Sequence, residues 1–169
     1  MNATHTSNLW HHSAAETVAA PPLTSDLDVD LLVIGGGFTG NSAALHAARE
    51  GASVSIASRT QTNIENAAAK LRDETGASVL ATVMDATSAD SIQNWVQRTF
   101  AEFGGVDALV VNAGGPPPGQ FDDFSDNDWQ NAFELNVMSG VRMIRGVLPL
   151  MRKRGGGSIL TVTSSSVKE

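Results

Sequence analysis

The 169 residues of this chain include no tyrosine and no cysteine, and aromatic residues of any kind make up only 5%. Without tyrosine the chain offers no phenol as a proton donor. Without cysteine it has no disulfide, no thiolate nucleophile and no Cys-based zinc site. Basic residues are in deficit, 11 Lys and Arg against 18 Asp and Glu, for a net charge of −7. Such a balance argues against a nucleic-acid footprint or an anionic membrane surface as partner. No apolar run approaches the ~20 residues that a membrane helix needs. The N-terminus has no basic region followed by an apolar one, so it does not read as a secretory signal. The expectation is a cytoplasmic protein with no nucleic-acid and no membrane partner.

What is present is a globular composition, 41% hydrophobic, in a length that suits one domain. Residues 1–27 are polar and irregular and include Pro21-Pro22. His5, His11 and His12 lie there, but no matching carboxylate spacing follows, so this segment reads as a flexible tail rather than a metal site. From residue 28 onward strands and helices alternate. The predicted strands are Val29–Ile34, Ser53–Ala57, Ser78–Val83, Ala108–Val111 and Ser158–Val162. The predicted helices are Phe38–Glu50, Asn63–Thr75, Ser88–Phe103 and a long Asp126–Met151. Ile64, Ala67, Ala68 and Leu71 form the inward stripe of the second helix. Ile92, Trp95, Val96, Phe100 and Phe103 form that of the third. In the long helix the stripe runs Trp129, Phe133, Val137, Val141, Ile144, Leu148, Met151.

Strands separated by helices of this length imply right-handed crossovers and a parallel sheet. The fold class is α/β, a Rossmann-type doubly wound sheet of about five strands in the order 3-2-1-4-5. Residues 28–169 make a partial domain of this kind, incomplete at its C-terminal edge. The fifth strand would then be an exposed edge, open to pairing.

Gly35-Gly36-Gly37-Phe38-Thr39-Gly40 fits G-x-G-x-x-G between a strand and a helix. Gly35 permits the tight turn, Gly37 lets a pyrophosphate approach the backbone, and Gly40 allows close packing of helix on sheet. With Phe38 and Thr39 these open a helix whose free N–H groups and partial positive charge suit phosphates. An acidic residue at the end of the second strand would bind a ribose diol, but Ser58-Arg59 stands there. An arginine fork can clamp a 2′-phosphate, which favours NADP(H) over NAD(H) and disfavours FAD. The basic run Arg152-Lys153-Arg154, followed by Gly155-Gly156-Gly157, suits the end of a helix, where cations meet the dipole and glycine supplies the cap.

Two resemblances follow. Leu9-Trp10, Pro21-Pro22-Leu23 and the GGGFTG loop with SAALHAA behind it resemble the N-terminus of FAD-dependent amine or amino-acid oxidases, over residues 1 to about 54. From about Val54 onward the chain resembles a short-chain dehydrogenase/reductase, close to the 3-oxoacyl carrier-protein reductase branch. The motifs are Ser58-Arg59, Asp85-Ala86-Thr87, Asn112-Ala113-Gly114-Gly115, Asn136 in LNV and Ser164 in ILTVTSSS. The resemblance implies that Ser58 and Arg59 hold the 2′-phosphate and that Asp85 and Ala86 contact adenine. It places Asn112, Ala113 and Gly114 along the cofactor, and Asn136 and Ser164 in the catalytic group. The departures are Val111 for the first asparagine of NNAG, and a glycine loop one residue shorter than that family's TGxxxGxG. The family's Tyr-x-x-x-Lys would fall past Glu169.

The functional expectation is an NADP(H)-dependent oxidoreductase that reduces a small-molecule carbonyl by hydride transfer. As given, the chain is expected to bind cofactor and turn over poorly. The alternatives are an FAD-binding fragment of an amine or amino-acid oxidase and a non-catalytic, recombined or designed Rossmann domain. The switch of resemblance near Val54, inside a βαβ unit, favours a chimera. A homo-oligomer is expected through the helix at 126–151 or through the sheet edge.

Overall fold

Runs of Val, Ile and Leu alternate with alanine-rich amphipathic segments, and the computed structural model folds them into a doubly wound α/β sheet. It describes residues 31–34, 38–115 and 117–163, with side chains from residue 39 onward. The elements in chain order are β1 (Leu31–Ile34), α1 (Phe38–Arg49), β2 (Val54–Ser58), α2 (Gln61–Thr75), β3 (Val79–Val83), α3 (Ala89–Phe103) and β4 (Ala108–Val111). After a short 3₁₀ turn at Phe121–Asp123 come α4 (Asp126–Phe133), a π-helical turn (Glu134–Met138), α5 (Ser139–Lys153) and β5 (Ser158–Thr161). All strand pairs are parallel, and the sheet order is β3-β2-β1-β4-β5, as the alternation of elements predicts. Leu31 of β1 sits beside both Val54 of β2 and Ala108 of β4, so the strand order reverses at β1. The N-terminal tail and the histidines within it lie outside the described residues.

Because successive side chains of a strand point to opposite faces, each strand feeds two cores. Val54 and Ile56 of β2 pack with Ile64, Ala68 and Leu71 of α2 and with Ala44 and Ala48 of α1. On the other face Ala57 and Leu109 pack with Ile92, Trp95 and Val96 of α3 and with Met143, Val147 and Met151 of α5. Three polar side-chain and backbone groups of Ser55, Trp95 and Thr99 pair with one another inside this second core. Trp95 Nε1 donates to Ser55 Oγ at 2.9 Å, Ser55 Oγ lies 2.8 Å from Thr99 Oγ1, and Thr99 Oγ1 donates to the Trp95 carbonyl at 2.9 Å. Since the Thr99 proton is committed to that carbonyl, Ser55 donates to Thr99, and the three groups close a ring of hydrogen bonds. Helix α3 starts where Ser88 Oγ accepts from the Ser91 N–H and stops at Gly104, whose φ of 77° a side-chain-bearing residue would resist.

Two helix stripes differ from expectation. On α3, Phe100 is 43% exposed and Thr99 is buried in its place. The Ser55 and Trp95 partners make a hydroxyl welcome inside, and the helical phase then turns Phe100 outward. The long helix is not one α-helix: it is α4, a π turn and α5. Trp129, Phe133, Val137 and Val141 are exposed, and Ser139, Gly140, Met143, Val147 and Met151 form the buried face. The expected stripe was drawn through the outer side of the segment, because a π turn holds more residues than an α turn and breaks the phase of one period. Only Met151, its last member, is fully buried. The basic run does end α5, and Arg154 also pairs with Asp107 at 2.7 Å, tying the helix end to the start of β4.

Candidate cofactor and active site

In an open parallel sheet the carboxyl ends of the strands face one rim, and a crevice opens where strand order reverses. Here β2, β3 and β4 each lead into sequence-predicted residues at that rim. Phe38 is the first residue of α1, directly after the glycine loop that follows β1. Gly35 and Gly37 lie outside the described residues, as does the Phe38 side chain. In the first turn of α1 Thr39 is exposed, and Gly40 is buried, as close helix packing requires. Ser58 closes β2, and its hydroxyl turns back to the Thr60 carbonyl at 3.4 Å. Arg59 follows in an exposed position.

Beyond β3 the chain forms a tight acidic turn. Asp85 Oδ1 accepts from the Thr87 N–H at 2.9 Å and from Thr87 Oγ1 at 2.8 Å. The Asp85 N–H in turn donates to Ser91 Oγ on α3 at 3.0 Å. The carboxyl of Asp85 is held below its ordinary pKa, first by the Thr87 N–H, then by the Thr87 hydroxyl. A desolvation cost opposes these bonds, and the positive charge of Arg59 adds to them. Both Thr87 bonds fall on one oxygen, so the other is available to a ligand donor. Ala86 is only 8% exposed and its methyl belongs to the core, so it offers a ligand its backbone alone. Thr87 was not singled out by sequence reasoning, although a hydroxyl two residues after an aspartate is the signature of such a turn.

The fourth strand leads into Asn112, Ala113 and Gly114. Asn112 and Ala113 are half-buried, and Gly114 is exposed with φ of 92°. A Cβ built on Gly114 would lie 2.7 Å from Asn136 Oδ1 and 3.0 Å from Leu135 Cγ. Two motifs that are distant in sequence therefore meet. Asn136 sits within the π turn, and its Nδ2 donates to the Ala132 carbonyl at 2.8 Å. That bond fixes the amide so that its oxygen faces the glycine backbone. π-Turns of this kind recur at functional sites because they present a side chain that a regular helix would hide. Ser164 follows β5 in sequence and lies outside the described residues. Among the described residues no group of three or more His, Asp or Glu could hold a metal ion. Also among them, no helix is long and apolar enough to cross a membrane.

Comparison with known proteins identifies the family and the fold. The family model for short chain dehydrogenases matches residues 31–169. The chain is 37% identical over 118 residues to human dehydrogenase/reductase SDR family member 4, covering 69% of this chain and 42% of that protein. Among solved structures, L-sorbose reductase from Gluconobacter frateurii, complexed with NADPH and L-sorbose, superposes with a TM-score of 0.80 at 32% identity. That match covers 83% of this chain and 54% of the reductase. A 7α-hydroxysteroid dehydrogenase complexed with NADH and 7-oxo glycochenodeoxycholic acid gives a TM-score of 0.78 at 32% identity, covering 84% of this chain and 56% of that one. The chain thus spans about half the length of the relatives it matches. The family match takes in the glycine loop that carried the flavoprotein resemblance, and the flavin alternative finds no support there.

Proposed function

From the premise that this chain belongs to the short-chain dehydrogenase/reductase family, we propose that it forms the NADP(H)-binding half of a carbonyl-reducing oxidoreductase. The observation that carries this reading is the meeting of Gly114 with Asn136 on the rim that also bears Arg59 and Asp85. An adenine amine fits the free oxygen of Asp85, with the backbone of Ala86 beside it. The Arg59 guanidinium, exposed at the end of β2, suits a 2′-phosphate better than a bare ribose diol. The start of α1, with Thr39 and Gly40 behind the loop of Gly35 and Gly37, receives the pyrophosphate. Asn112, Ala113 and Gly114 let the cofactor lie against the backbone, since Gly114 has no side chain to obstruct it. NADPH bound there supplies a hydride to a carbonyl carbon. Asn136 and Ser164 are the polar groups assigned to hold that carbonyl and its water.

The 169 residues contain no tyrosine, so they lack the phenolic acid that protonates the carbonyl oxygen in the resembled enzymes. Loss of a positioned general acid lowers rates by about 10²–10⁴. Cofactor binding with very slow turnover is therefore the activity assigned to these residues. The same reading assigns self-association to the outer stripe of Trp129, Phe133, Val137 and Val141, or to β5, all of whose residues are exposed.

The test is a parallel fluorescence titration of the chain with NADPH, NADH and FAD. NADPH should bind saturably, and Arg59→Ala should weaken it about 10-fold or more, the worth of a charge-assisted phosphate contact. Equal binding of NADH with no effect of Arg59→Ala would overturn the NADP(H) assignment. Binding of FAD alone would return the chain to the flavoproteins.

A further inference from the structure

Arg142 belongs to none of the motifs above, yet its guanidinium touches two parts of the proposed site. One nitrogen pairs with Glu134 Oε2 at 2.7 Å, and the other donates to the Thr87 carbonyl at 3.4 Å. Its side chain is 23% exposed and that of Glu134 33%. Glu134 is the first residue of the π turn that carries Asn136. Thr87 supplies both bonds that orient the Asp85 carboxylate. A single side chain on α5 therefore ties the turn at the adenine end to the turn at the nicotinamide end.

We infer that Arg142 is a positioning residue for the cofactor, one that latches the Asp85–Thr87 turn to the Asn136-bearing π turn. The inference rests on the NADP(H) reading for its ligand but not for its geometry. On its other side the Asp85–Thr87 turn is held to α3, by the bond from the Asp85 N–H to Ser91 Oγ and by the Ser88 N–H donating to the Asp85 carbonyl at 3.1 Å. With Arg142 in place the turn is fixed from α3 and from α5, and both fixings act on backbone groups of the turn itself. The Asp85 carboxylate then meets an adenine amine already oriented, with less ordering left to do on binding. Without Arg142 the Thr87 carbonyl loses a charged donor and Glu134 is left without its cation. The turn that Thr87 organises then keeps its own bonds and those to α3 but loses its tie to α5. Arginine suits this role because its planar fork reaches two acceptors at once, which a lysine ammonium on a single stem does not reproduce.

The experiment compares wild type, Arg142→Gln and Arg142→Lys in two measurements. The first is calorimetric titration with 2′,5′-ADP, which probes the adenine half alone. The second is amide hydrogen exchange over residues 85–88 in the unliganded protein. Arg142→Gln should weaken 2′,5′-ADP about 3- to 10-fold, as expected for a partly exposed charged contact. It should also speed exchange at Ala86 and Thr87 while exchange in β2 stays unchanged. Arg142→Lys should restore only part of both effects and serves as the folded comparison if the glutamine variant is unstable. Unchanged 2′,5′-ADP affinity in Arg142→Gln, with wild type binding normally, would overturn the inference. If wild type binds no 2′,5′-ADP, the NADP(H) reading fails by itself and the exchange data decide the latch: unchanged exchange at residues 85–88 would overturn it, and faster exchange would uphold it.

Discussion

Trp129 and Phe133 of α4 are 51% and 50% exposed, whereas Met143 and Val147 of α5, on the same continuous stretch of chain, are fully buried. Both halves carry apolar residues at helical spacing. They differ in what lies opposite. Helix α5 packs on α3 so closely that a Cβ on Gly146 would lie 3.3 Å from Val96. Trp129 of α4 instead meets Phe121 and Phe124 from the preceding turn, with ring centroids 5.7 and 6.3 Å away. Apolar periodicity thus reports that a helix has a face and says nothing of whether this fold covers it. The π turn between the halves marks the change, and Asn136 sits on it.

The largest way to break this comparison is to shorten one side chain in each half. Met143→Ala should cost about 2–5 kcal/mol through lost burial and a residual cavity. Trp129→Ala should cost no more than about 1 kcal/mol, the worth of an exposed aromatic contact. Denaturant midpoints of the two variants check this, and equal losses would mean that α4 is as well covered as α5. At the junction, Gly114→Ala should cost about 1–2 kcal/mol from its left-handed backbone. It should also push the Asn136 amide aside, which a fall in both thermal midpoint and NADPH affinity would register. Replacing Trp129 and Phe133 together by serine should cost less stability than Met143→Ala alone but lower any self-association seen by sedimentation velocity. No change in association would remove the α4 face from consideration as an interface.

The smallest effect is electrostatic and touches both regions. Asp85 beside α3 and Asp128 in the first turn of α4 both have carboxyls held below their ordinary pKa. For Asp85 the Thr87 N–H leads, and for Asp128 the Ser125 hydroxyl followed by the Ser125 N–H. A group whose folded pKa is lowered stabilises the fold above its unfolded value, about 3.9 for aspartate, and loses that contribution as pH falls through the folded value. Asp85→Asn should therefore flatten part of the decline in thermal midpoint below about pH 4 and leave the midpoint at pH 7 slightly lower. A decline of unaltered steepness would show that the Thr87 bonds carry no net stability.

The strands and their order were legible because buried β-branched runs, bounded by glycine and separated by helices of crossover length, admit few topologies. Arg59 and Asn112 were legible as strand-end positions for the same reason, whereas Asp85 was legible only through the family resemblance of Asp85-Ala86-Thr87. What stayed hidden depends on contacts between distant segments. Thr99 reads as polar and outward until Ser55 and Trp95 are brought to it. Arg142 reads as a solvated cation until Thr87 and Glu134 arrive on either side. The π turn has no local signature in ELNVM, so a single α-helix was the natural reading. The meeting of Gly114 with Asn136 required the loop after β4 to return over the helix, which no spacing rule reveals.

The four-residue strand β1 lies at the centre of the sheet and is hydrogen-bonded on one side to β2 and on the other to β4. In folding terms it is the seam between two ribbons, β2 with β3 and β4 with β5. Each ribbon closes through one intervening helical segment, while joining β1 to β4 must close a loop that contains β2, β3 and three helices. Neither two-stranded ribbon has much stability by itself, and closing the longer loop carries the larger entropy cost. Because β1 reaches β2 through α1 alone, the β1–β4 pairing is the one with the long loop to close, and it is the pairing that joins the two halves of the sheet and brings their strand ends to one rim.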